Sequence, residues 1–333
     1  STVLLVEALQ PPIQARIGPM AAHPSPSQAH GLPGDGTVRR MQVIIDVDDT
    51  VKSSGGVTLA GVPLGGVDTQ YKRGTFYPGV FRFMLALSKN GLDGEMQPRR
   101  LAVLTARAQE FKFALQLKPT DKVCKGFSLT GTEDGFPDWG IGSVLYGSVR
   151  EWVLQDLKGW RKYENFKLLR ASFRGDSEPD YVFVGDTGEL DKEAGMRMLT
   201  DRNAQGRVKA IFMHVVSFTP DPQVPSDLYI NGKPLVYFRT YAGAALKAVQ
   251  LGLMSPPEAR MVIIQACKDL KRAAATPGVA DPNMPSKWAE LERDIKTAMQ
   301  ELPEEFGDLS LAELSPLPLN RAATSPKAAA AAF

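Results

Sequence analysis

Three acidic residues that directly follow one short apolar run constrain this chain more than any other feature. The run, Met41-Gln-Val-Ile-Ile, is rich in β-branched residues, which is typical of a strand buried in a parallel sheet. It is followed by Asp46, Asp48 and Asp49, whose carboxylates repel one another unless a cation or a substrate offsets their charge. Residues two apart in an extended chain point the same way, so Asp46 and Asp48 are predicted to face one point beyond the strand. Asp49 is predicted to point away, as a loop residue.

Apolar runs and helical patterns alternate from Met41 to Val216, which predicts a parallel sheet with helices on both faces. Further strands are predicted at Leu101-Ala-Val-Leu-Thr, at Tyr181-Val-Phe-Val-Gly and over residues 207–216. Helices are predicted after Pro78, through Phe111 and Leu115, from about 149 to 173, and over 241–253, 256–272 and 285–302. Residues 118–147 are rich in glycine and their structure is left open. The predicted fold class is therefore α/β, with the acidic residues at the edge where such sheets bind ligands.

Composition divides the chain into four parts. These are a Pro-rich arm (1–40), an α/β domain (41–218), a helical extension (219–303) and a low-complexity tail (304–333). The two ends would be mobile in isolation, so we expect them to act as contacts in a protein assembly wherever they are ordered. The chain begins at Ser1, which fits removal of an initiator Met or of a transit peptide. We expect an intracellular protein, either cytoplasmic or organellar (plastid or mitochondrion).

The chain's charge and its content of cysteine and histidine exclude several classes of protein. Its 39 basic and 37 acidic side chains give a formal charge of +2, which excludes nucleic-acid binding that depends on bulk positive charge. Two cysteines and three histidines exclude a disulfide framework, a four-thiolate zinc site and a histidine-rich metal site. No apolar run approaches the roughly 20 residues that span a bilayer, so we expect a soluble protein without a transmembrane segment.

The acidic residues do not form a calcium-binding loop of the EF-hand type. Such a loop requires Gly at its sixth position and Glu at its twelfth, where this chain has Val51 and Val57. Glycine-rich nucleotide-binding motifs, nucleophile elbows and zinc-protease motifs are also missing from the sequence. A solvated acidic turn without any chemistry stays open as the alternative.

The pattern Asp-x-Asp-x-Thr-Val after an apolar strand resembles the first motif of the haloacid dehalogenase-like phosphohydrolases. That resemblance implies a Rossmann-like sheet and a hydroxyl at the end of a later strand, which Thr105 supplies. It also implies an acidic pair after a further strand, and Asp186 and Asp191 supply that pair in Gly-Asp-Thr-Gly-Glu-Leu-Asp.

The resemblance further implies a lysine on the helix before the acidic pair. Lys162 and Lys167 both satisfy this requirement, and either would equally suit a solvated helix surface. In the family the lysine is followed by apolar residues at offsets of four, seven and eleven. Phe166, Leu169 and Phe173 stand at those offsets from Lys162, which is therefore preferred.

Longer segments of the chain are similar to the catalytic domain of actin-patch-associated phosphatidate phosphatases. The resemblance covers residues 41–254 and rests on Asp46-Val-Asp-Asp-Thr-Val-Lys, Tyr77-Pro-Gly-Val-Phe, Leu104-Thr-Ala-Arg, Gly185-Asp-Thr-Gly-Glu-Leu-Asp and Thr240-Tyr-Ala-Gly-Ala-Ala-Leu-Lys-Ala. The family usually has serines where this chain has Thr105 and Thr187, and a proline where it has Ala108. Both threonines keep the hydroxyl group. The resemblance implies Mg²⁺-dependent removal of phosphate from phosphatidate or a related lipid phosphate, at a membrane surface.

The resemblance assigns the chemical steps to the acidic residues. Asp46 would be the nucleophile that forms an aspartyl-phosphate. Asp48 would act first as the acid and then as the base. Mg²⁺ would be bound by oxygens of Asp46, of the Asp48 backbone carbonyl, and of Asp186 or Asp191.

The remaining site residues would bind the substrate. The Thr105 hydroxyl and the Lys162 ammonium would contact phosphoryl oxygens. Thr50 and Arg107 are candidate substrate-binding residues, although Arg107 would equally well cap its strand. Glu189 would orient Lys162 or a metal-bound water, or would simply begin a helix.

Two other functions stay open at this stage. In the first, the chain is a phosphatase-fold subunit with a mainly structural role in a larger assembly, organellar or otherwise. In the second, it is a phosphatase whose substrate is a phosphoprotein or a soluble phosphomonoester. The insert from Lys52 to Thr75 is short and glycine-rich, so it is predicted to be a flap and not a cap domain. An open site of this kind would accept a bulky or membrane-embedded head group better than a small metabolite, which agrees with a lipid phosphate.

Overall fold

A computed structural model of the protein describes residues 39–56, 58–59, 62–63, 66–92, 96–108, 117–147, 158–173, 178–188, 190–204, 206–219, 222–276, 281–310 and 314. At 58–59, 62–63, 106–108, 147 and 158 only the backbone is described. Outside the described residues lie most of the Pro-rich arm, the predicted helix at Phe111 and Leu115, Glu189, and the tail from residue 315.

Seven of the nine strands in the described part of the chain form one sheet. The strands are β1 (Met41–Ile45), β2 (Thr58–Leu59), β3 (Val62–Pro63), β4 (Leu101–Ala108), β5 (Ile141–Gly147), β6 (Asp180–Asp186), β7 (Val208–His214), β8 (Leu228–Ile230) and β9 (Lys233–Phe238). Their order in the sheet is β5-β4-β1-β6-β7-β9-β8, and only β8 runs antiparallel to its neighbour. Strands β2 and β3 form a separate hairpin within the flap (52–75).

Helices cover both faces of this sheet, as the α/β prediction requires. They are α1 (Val80–Ser88), α2 (Lys122–Glu133), α3 (Lys158–Ala171), α4 (Asp191–Thr200), α5 (Tyr241–Gln250), α6 (Pro256–Ala274), α7 (Met284–Glu301) and α8 (Pro303–Phe306). Helices α1, α2, α5 and α6 contribute to the hydrophobic core on one face, and α3 and α4 to the core on the other. The α/β fold class with a mostly parallel sheet is therefore confirmed.

Alternate residues of the central strands enter the two cores. In β1, Val43 and Ile45 pack on the α1 face, whereas Ile44 packs on the α3 face. In β6, Val184 packs on the α1 face and Phe183 packs on the α3 face. All five side chains are fully buried, which explains why these strands read as continuous apolar runs in the sequence.

The segment 219–303 differs from the purely helical extension that we predicted. It begins with β8 and β9, and β9 pairs in parallel with β7 from Ile211–Leu235 to His214–Phe238. The α/β unit therefore continues past the predicted boundary at residue 218. Pro234 and the Asn231-Gly232 turn interrupt the apolar pattern, and Asn231 has a φ of 52°. From Tyr241 onward the extension is helical, as expected.

The glycine-rich segment 118–147, left open above, forms helix α2 and the edge strand β5. Helix α2 ends at a cluster of charged residues that joins three helices. Arg82 of α1 and Lys89, the residue directly after α1, contact Asp134 at 2.5 and 2.8 Å, and contact Glu258 of α6 at 3.3 and 2.5 Å. The helical extension is thus attached to the sheet domain by polar as well as apolar contacts. In the part of the chain that the structure describes, no helix is long and apolar enough to cross a bilayer.

Candidate functional site

The carboxyl ends of three neighbouring strands bring the site together. Strand β1 lies between β4 and β6, with Ile45 paired to Val103 and to Val184. Asp46 continues β1, and its backbone N–H donates to the Val184 carbonyl at 3.0 Å. Thr105 and Asp186 each lie two residues beyond those paired positions, and both are buried. The sheet register therefore places the two residues on either side of Asp46.

The carboxylates of Asp46, Asp186 and Asp191 form one buried cluster. Each offers an oxygen that lies within 4.8 Å of the others. Asp191 is the first residue of α4, and its Oδ2 accepts a hydrogen bond from the Asp186 N–H at 3.4 Å. This close approach requires Gly185, because a Cβ there would lie 2.5 Å from Asp191 Oδ2.

Lys162 is the cation that enters this cluster. Its ammonium nitrogen lies 3.0 Å from Asp46 Oδ1 and contacts Asp191 Oδ1, and the side chain is 1% exposed. Lys167 lies one turn further along α3, where it is exposed and pairs with Glu164 at 2.7 Å. Of the two predicted lysines, the structure brings only Lys162 to the carboxylates.

The cluster suits a divalent cation with oxygen ligands. Three ionised carboxylates and one ammonium group carry a net charge of −2, and all four groups are buried. Burial of like charges is unfavourable unless a counter-charge accompanies them. Carboxylate oxygens are the donors that Mg²⁺ prefers, and no sulfur or nitrogen donor belongs to the set. The residues therefore fit the predicted metal. Asp191 would face both the metal and the Lys162 ammonium.

Asp48 lies outside the carboxylate cluster. Its side chain is 31% exposed and pairs with Lys52 at 3.6 Å, which places it at the solvent side of the loop after β1. Thr50, two residues further on, is completely buried. Its hydroxyl has no hydrogen-bond partner among the described residues. A buried hydroxyl without a partner is costly.

Asp49 connects the loop after β1 to the flap, which is the structural role that we predicted for it. Its carboxylate accepts hydrogen bonds from the backbone N–H groups of Ser54 (2.7 Å), Val67 (2.6 Å) and Asp68 (3.1 Å). Burial raises its pKa, and the hydrogen bonds from Ser54 and Asp68 oppose that rise. Its φ of 60° lies in the left-handed region, which costs energy for a residue with a Cβ. These contacts hold both ends of the flap hairpin against the loop.

His214 is a buried histidine behind the same loop, and we did not single it out from the sequence. Its Nδ1 lies 2.7 Å from the Asp49 carbonyl oxygen, and its Nε2 lies 3.2 Å from the Arg239 carbonyl oxygen. Burial, and then the charge of Arg239, lower its pKa from 6.5 to about 4. The neutral ring has one N–H, and the shorter contact assigns that hydrogen to the bond with Asp49.

Tyr241, the first residue of α5, reaches the loop from the helical extension. Its hydroxyl donates to the Thr50 carbonyl at 2.6 Å, and the side chain is 1% exposed. Burial raises its pKa well above 10.0, and the charges of Asp186 and Asp46 raise it further. No local sequence pattern predicts this contact, because Tyr241 lies far along the chain from Thr50. Its only visible signal is its position after Thr240, the residue that caps α5.

Two predicted residues have no described side-chain position. Arg107 belongs to β4, and its side chain is not among those that the structure describes. Glu189 lies outside the described residues. Their predicted roles therefore remain predictions.

Comparison of the chain with family models, with curated proteins and with solved structures finds no match.

Proposed function

We propose that the protein is a Mg²⁺-dependent phosphatase that acts through an aspartyl-phosphate on Asp46. The observation that carries the proposal is the buried cluster of Asp46, Asp186 and Asp191, with the Lys162 ammonium 3.0 Å from Asp46. A solvated acidic turn, the alternative reading of the sequence, would leave these carboxylates in water. Here all three are buried, together with a buried lysine.

Asp46 and Asp186, with the backbone carbonyl of Asp48, would hold the Mg²⁺ ion. Bound there, Mg²⁺ offsets the negative charge of the phosphoryl group and of the carboxylates that it approaches. Asp191 belongs to the same carboxylate cluster, but both of its oxygens have partners within the protein. Its Oδ1 contacts Lys162, and its Oδ2 accepts a hydrogen bond from the Asp186 N–H. Asp191 therefore orients both the lysine and the neighbouring ligand.

In the first step an oxygen of Asp46 attacks phosphorus, and the bond from phosphorus to the leaving oxygen breaks. The leaving oxygen takes a proton from Asp48, whose partly exposed position in the loop allows contact with a departing alcohol. The Lys162 ammonium and the Thr105 and Thr50 hydroxyls would donate to the phosphoryl oxygens. Lys162 lies beside the attacking carboxylate in a buried site, where its charge acts strongly.

In the second step water attacks phosphorus and gives a proton to Asp48. The bond between phosphorus and the Asp46 oxygen breaks, so phosphate leaves and the Asp46 carboxylate is restored. Asp48 returns to its protonated form, ready for the next turnover. Asp48 serves both steps because each proton moves at the solvent side of the phosphoryl group.

The substrate that we propose is a lipid phosphate. The flap is a small hairpin, and its segment 57–65 contains no charged residue. Phe218, whose side chain is 53% exposed, lies at the base of the flap, and its carbonyl accepts from the Thr69 hydroxyl at 2.9 Å. An exposed aromatic ring beside an uncharged hairpin would favour contact with acyl chains over contact with a hydrophilic metabolite.

Phosphate release tests this function. The wild-type protein and Asp46→Asn are incubated with Mg²⁺ and either p-nitrophenyl phosphate or phosphatidate vesicles. We expect the variant to lose at least about 1,000-fold in rate, because no other residue forms the covalent intermediate. Asp138→Asn, which removes an exposed carboxylate from the connection between α2 and β5, is the matched control.

Equal rates for the wild type and Asp46→Asn would refute the catalytic assignment. Hydrolysis of p-nitrophenyl phosphate with no release from vesicles would refute the lipid substrate and favour a soluble phosphomonoester or a phosphoprotein.

A further inference from the structure

The loop that follows the proposed nucleophile is held by the C-terminal helical extension. This loop, Val47–Val51, carries the proposed acid Asp48 and the buried Thr50. It is a tight turn in which the N–H groups of Val51 and Lys52 both donate to the Val47 carbonyl, at 2.9 and 3.1 Å. The left-handed φ of Asp49 makes this conformation unfavourable for an isolated chain, so outside contacts must maintain it.

Tyr241 makes such a contact at the centre of the loop. Its hydroxyl donates to the carbonyl of Thr50 at 2.6 Å. Both residues are almost completely buried, so a carbonyl deprived of this donor would have no water to replace it. The same residue, Thr50, carries the hydroxyl that has no partner among the described residues. Fixing the carbonyl of Thr50 therefore fixes the backbone from which this hydroxyl projects.

The Tyr241 ring is itself held in place on several sides. Its centroid lies 5.2 Å from that of Phe83, 5.1 Å from that of Phe238 and 5.8 Å from that of His214. The preceding residue, Thr240, caps α5 by accepting from the Gly243 N–H and donates to Asp294 of α7 at 2.5 Å. The phenol is therefore attached to a helix that is tied to its neighbour, and it has little freedom to move away from Thr50.

We propose that Tyr241 is a positioning residue of the phosphatase site: its hydroxyl fixes the loop Val47–Val51 and thereby orients Asp48 and Thr50 toward the phosphoryl group. The helical extension then supplies one part of the active site. This inference rests on the proposed function of Asp46, although the contact itself does not.

The test is Tyr241→Phe, which keeps the ring and its packing and removes only the hydroxyl. Tyr229→Phe, at a tyrosine that is 62% exposed on β8, is the matched control. With p-nitrophenyl phosphate and Mg²⁺, we expect kcat of Tyr241→Phe to fall about tenfold, as for the loss of one buried hydrogen bond, with KM within about twofold of wild type. Tyr229→Phe is expected to match the wild type in both constants.

Amide hydrogen exchange gives a second readout that does not depend on catalysis. We expect the Val51 and Lys52 amides to exchange about tenfold faster in Tyr241→Phe, while the Leu104 amide in β4 keeps its protection. Unchanged kcat together with unchanged exchange at Val51 and Lys52 would overturn the inference, as would an equal rise at Leu104, which indicates a general loss of stability. If the wild type releases no phosphate but the loop still exchanges faster in the variant, the proposed function fails and the role of Tyr241 in holding the loop stands.

Discussion

The ammonium nitrogen of Lys162 lies 3.0 Å from Oδ1 of Asp46, and both side chains are buried at the carboxyl edge of the sheet. Lys162 also contacts Asp191, the first residue of α4, and this second contact brings α3 close to the beginning of α4. Gly159 permits this, because a Cβ there would lie 2.8 Å from the Leu190 carbonyl oxygen. The close approach of these two helices thus brings the lysine of α3 to the first carboxylate of α4.

Lys162→Met should impair both catalysis and stability. The substitution leaves three buried carboxylates without their ammonium partner, which costs about 3–5 kcal/mol in the free energy of unfolding when Mg²⁺ is absent. We expect kcat to fall about 100-fold or more, since the proposed donor to the phosphoryl group is lost. Urea unfolding in EDTA and initial rates in Mg²⁺ measure the two effects. Lys167→Met is the control, and a comparable loss in that variant would contradict the assignment.

Mg²⁺ should stabilise the folded protein through the carboxylate cluster. At a concentration one hundred times its Kd, the ion would add about 2.7 kcal/mol to the free energy of unfolding. We expect Asp186→Asn to lose this gain and to be more stable than the wild type in EDTA, because one of three repelling charges is removed. Thermal melts with and without Mg²⁺ measure both changes. An equal Mg²⁺-dependent rise in Tm for the two proteins would exclude the cluster as the binding site.

Gly185→Ala tests the close approach between β6 and α4. The added methyl group would lie 2.5 Å from Asp191 Oδ2 and 2.9 Å from its Cβ, so β6 and Asp191 must shift apart. We expect a loss of about 1–3 kcal/mol in the free energy of unfolding, together with weaker Mg²⁺ stabilisation. Gly307→Ala is the control, since the nearest atom to a Cβ there is 3.4 Å away. Unchanged stability in Gly185→Ala would show that α4 adjusts freely.

His214 should make the protein sensitive to mild acid. Burial, followed by the charge of Arg239, lowers its pKa from 6.5 to about 4, so the unfolded chain binds the proton first as the pH falls. Stability is therefore lost from about pH 6.5 down to about pH 4, at up to about 1.4 kcal/mol per pH unit. His214→Asn keeps a donor for the Asp49 carbonyl and should reduce this slope. Urea midpoints at pH 7, 5.5 and 4.5 compare the two proteins, and parallel slopes would contradict the assignment.

The residues that meet at the sheet edge were predictable because each follows or precedes a strongly patterned element. Asp46 and Asp186 end buried apolar strands, and parallel strands present their carboxyl ends on one side. The choice of Lys162 over Lys167 came from the resemblance, which implies apolar residues at fixed offsets from the lysine, and Phe166 and Leu169 stand at two of them. Local periodicity alone supplied the strands and the helix that carry these residues.

The contacts behind the loop were not predictable in this way. Strand β9 contains a proline and follows a tight turn, so its sequence is as typical of a loop as of a strand. Its parallel pairing with β7 depends on tertiary structure, which the local sequence does not encode. Tyr241 and His214 contact backbone carbonyl groups. Because every residue has such a group, neither contact requires a particular residue type at the accepting position, and the sequence gives no sign of it.

The arrangement of the site along the chain has a consequence for synthesis of the protein. Asp46 leaves the ribosome early, whereas Lys162, Asp191 and finally Tyr241 emerge much later. A nascent chain that has reached only the first strands carries its acidic residues in water, without their lysine and without the loop conformation. The site is therefore assembled only after α5 has emerged, and we expect partly translated chains to lack the proposed phosphatase activity.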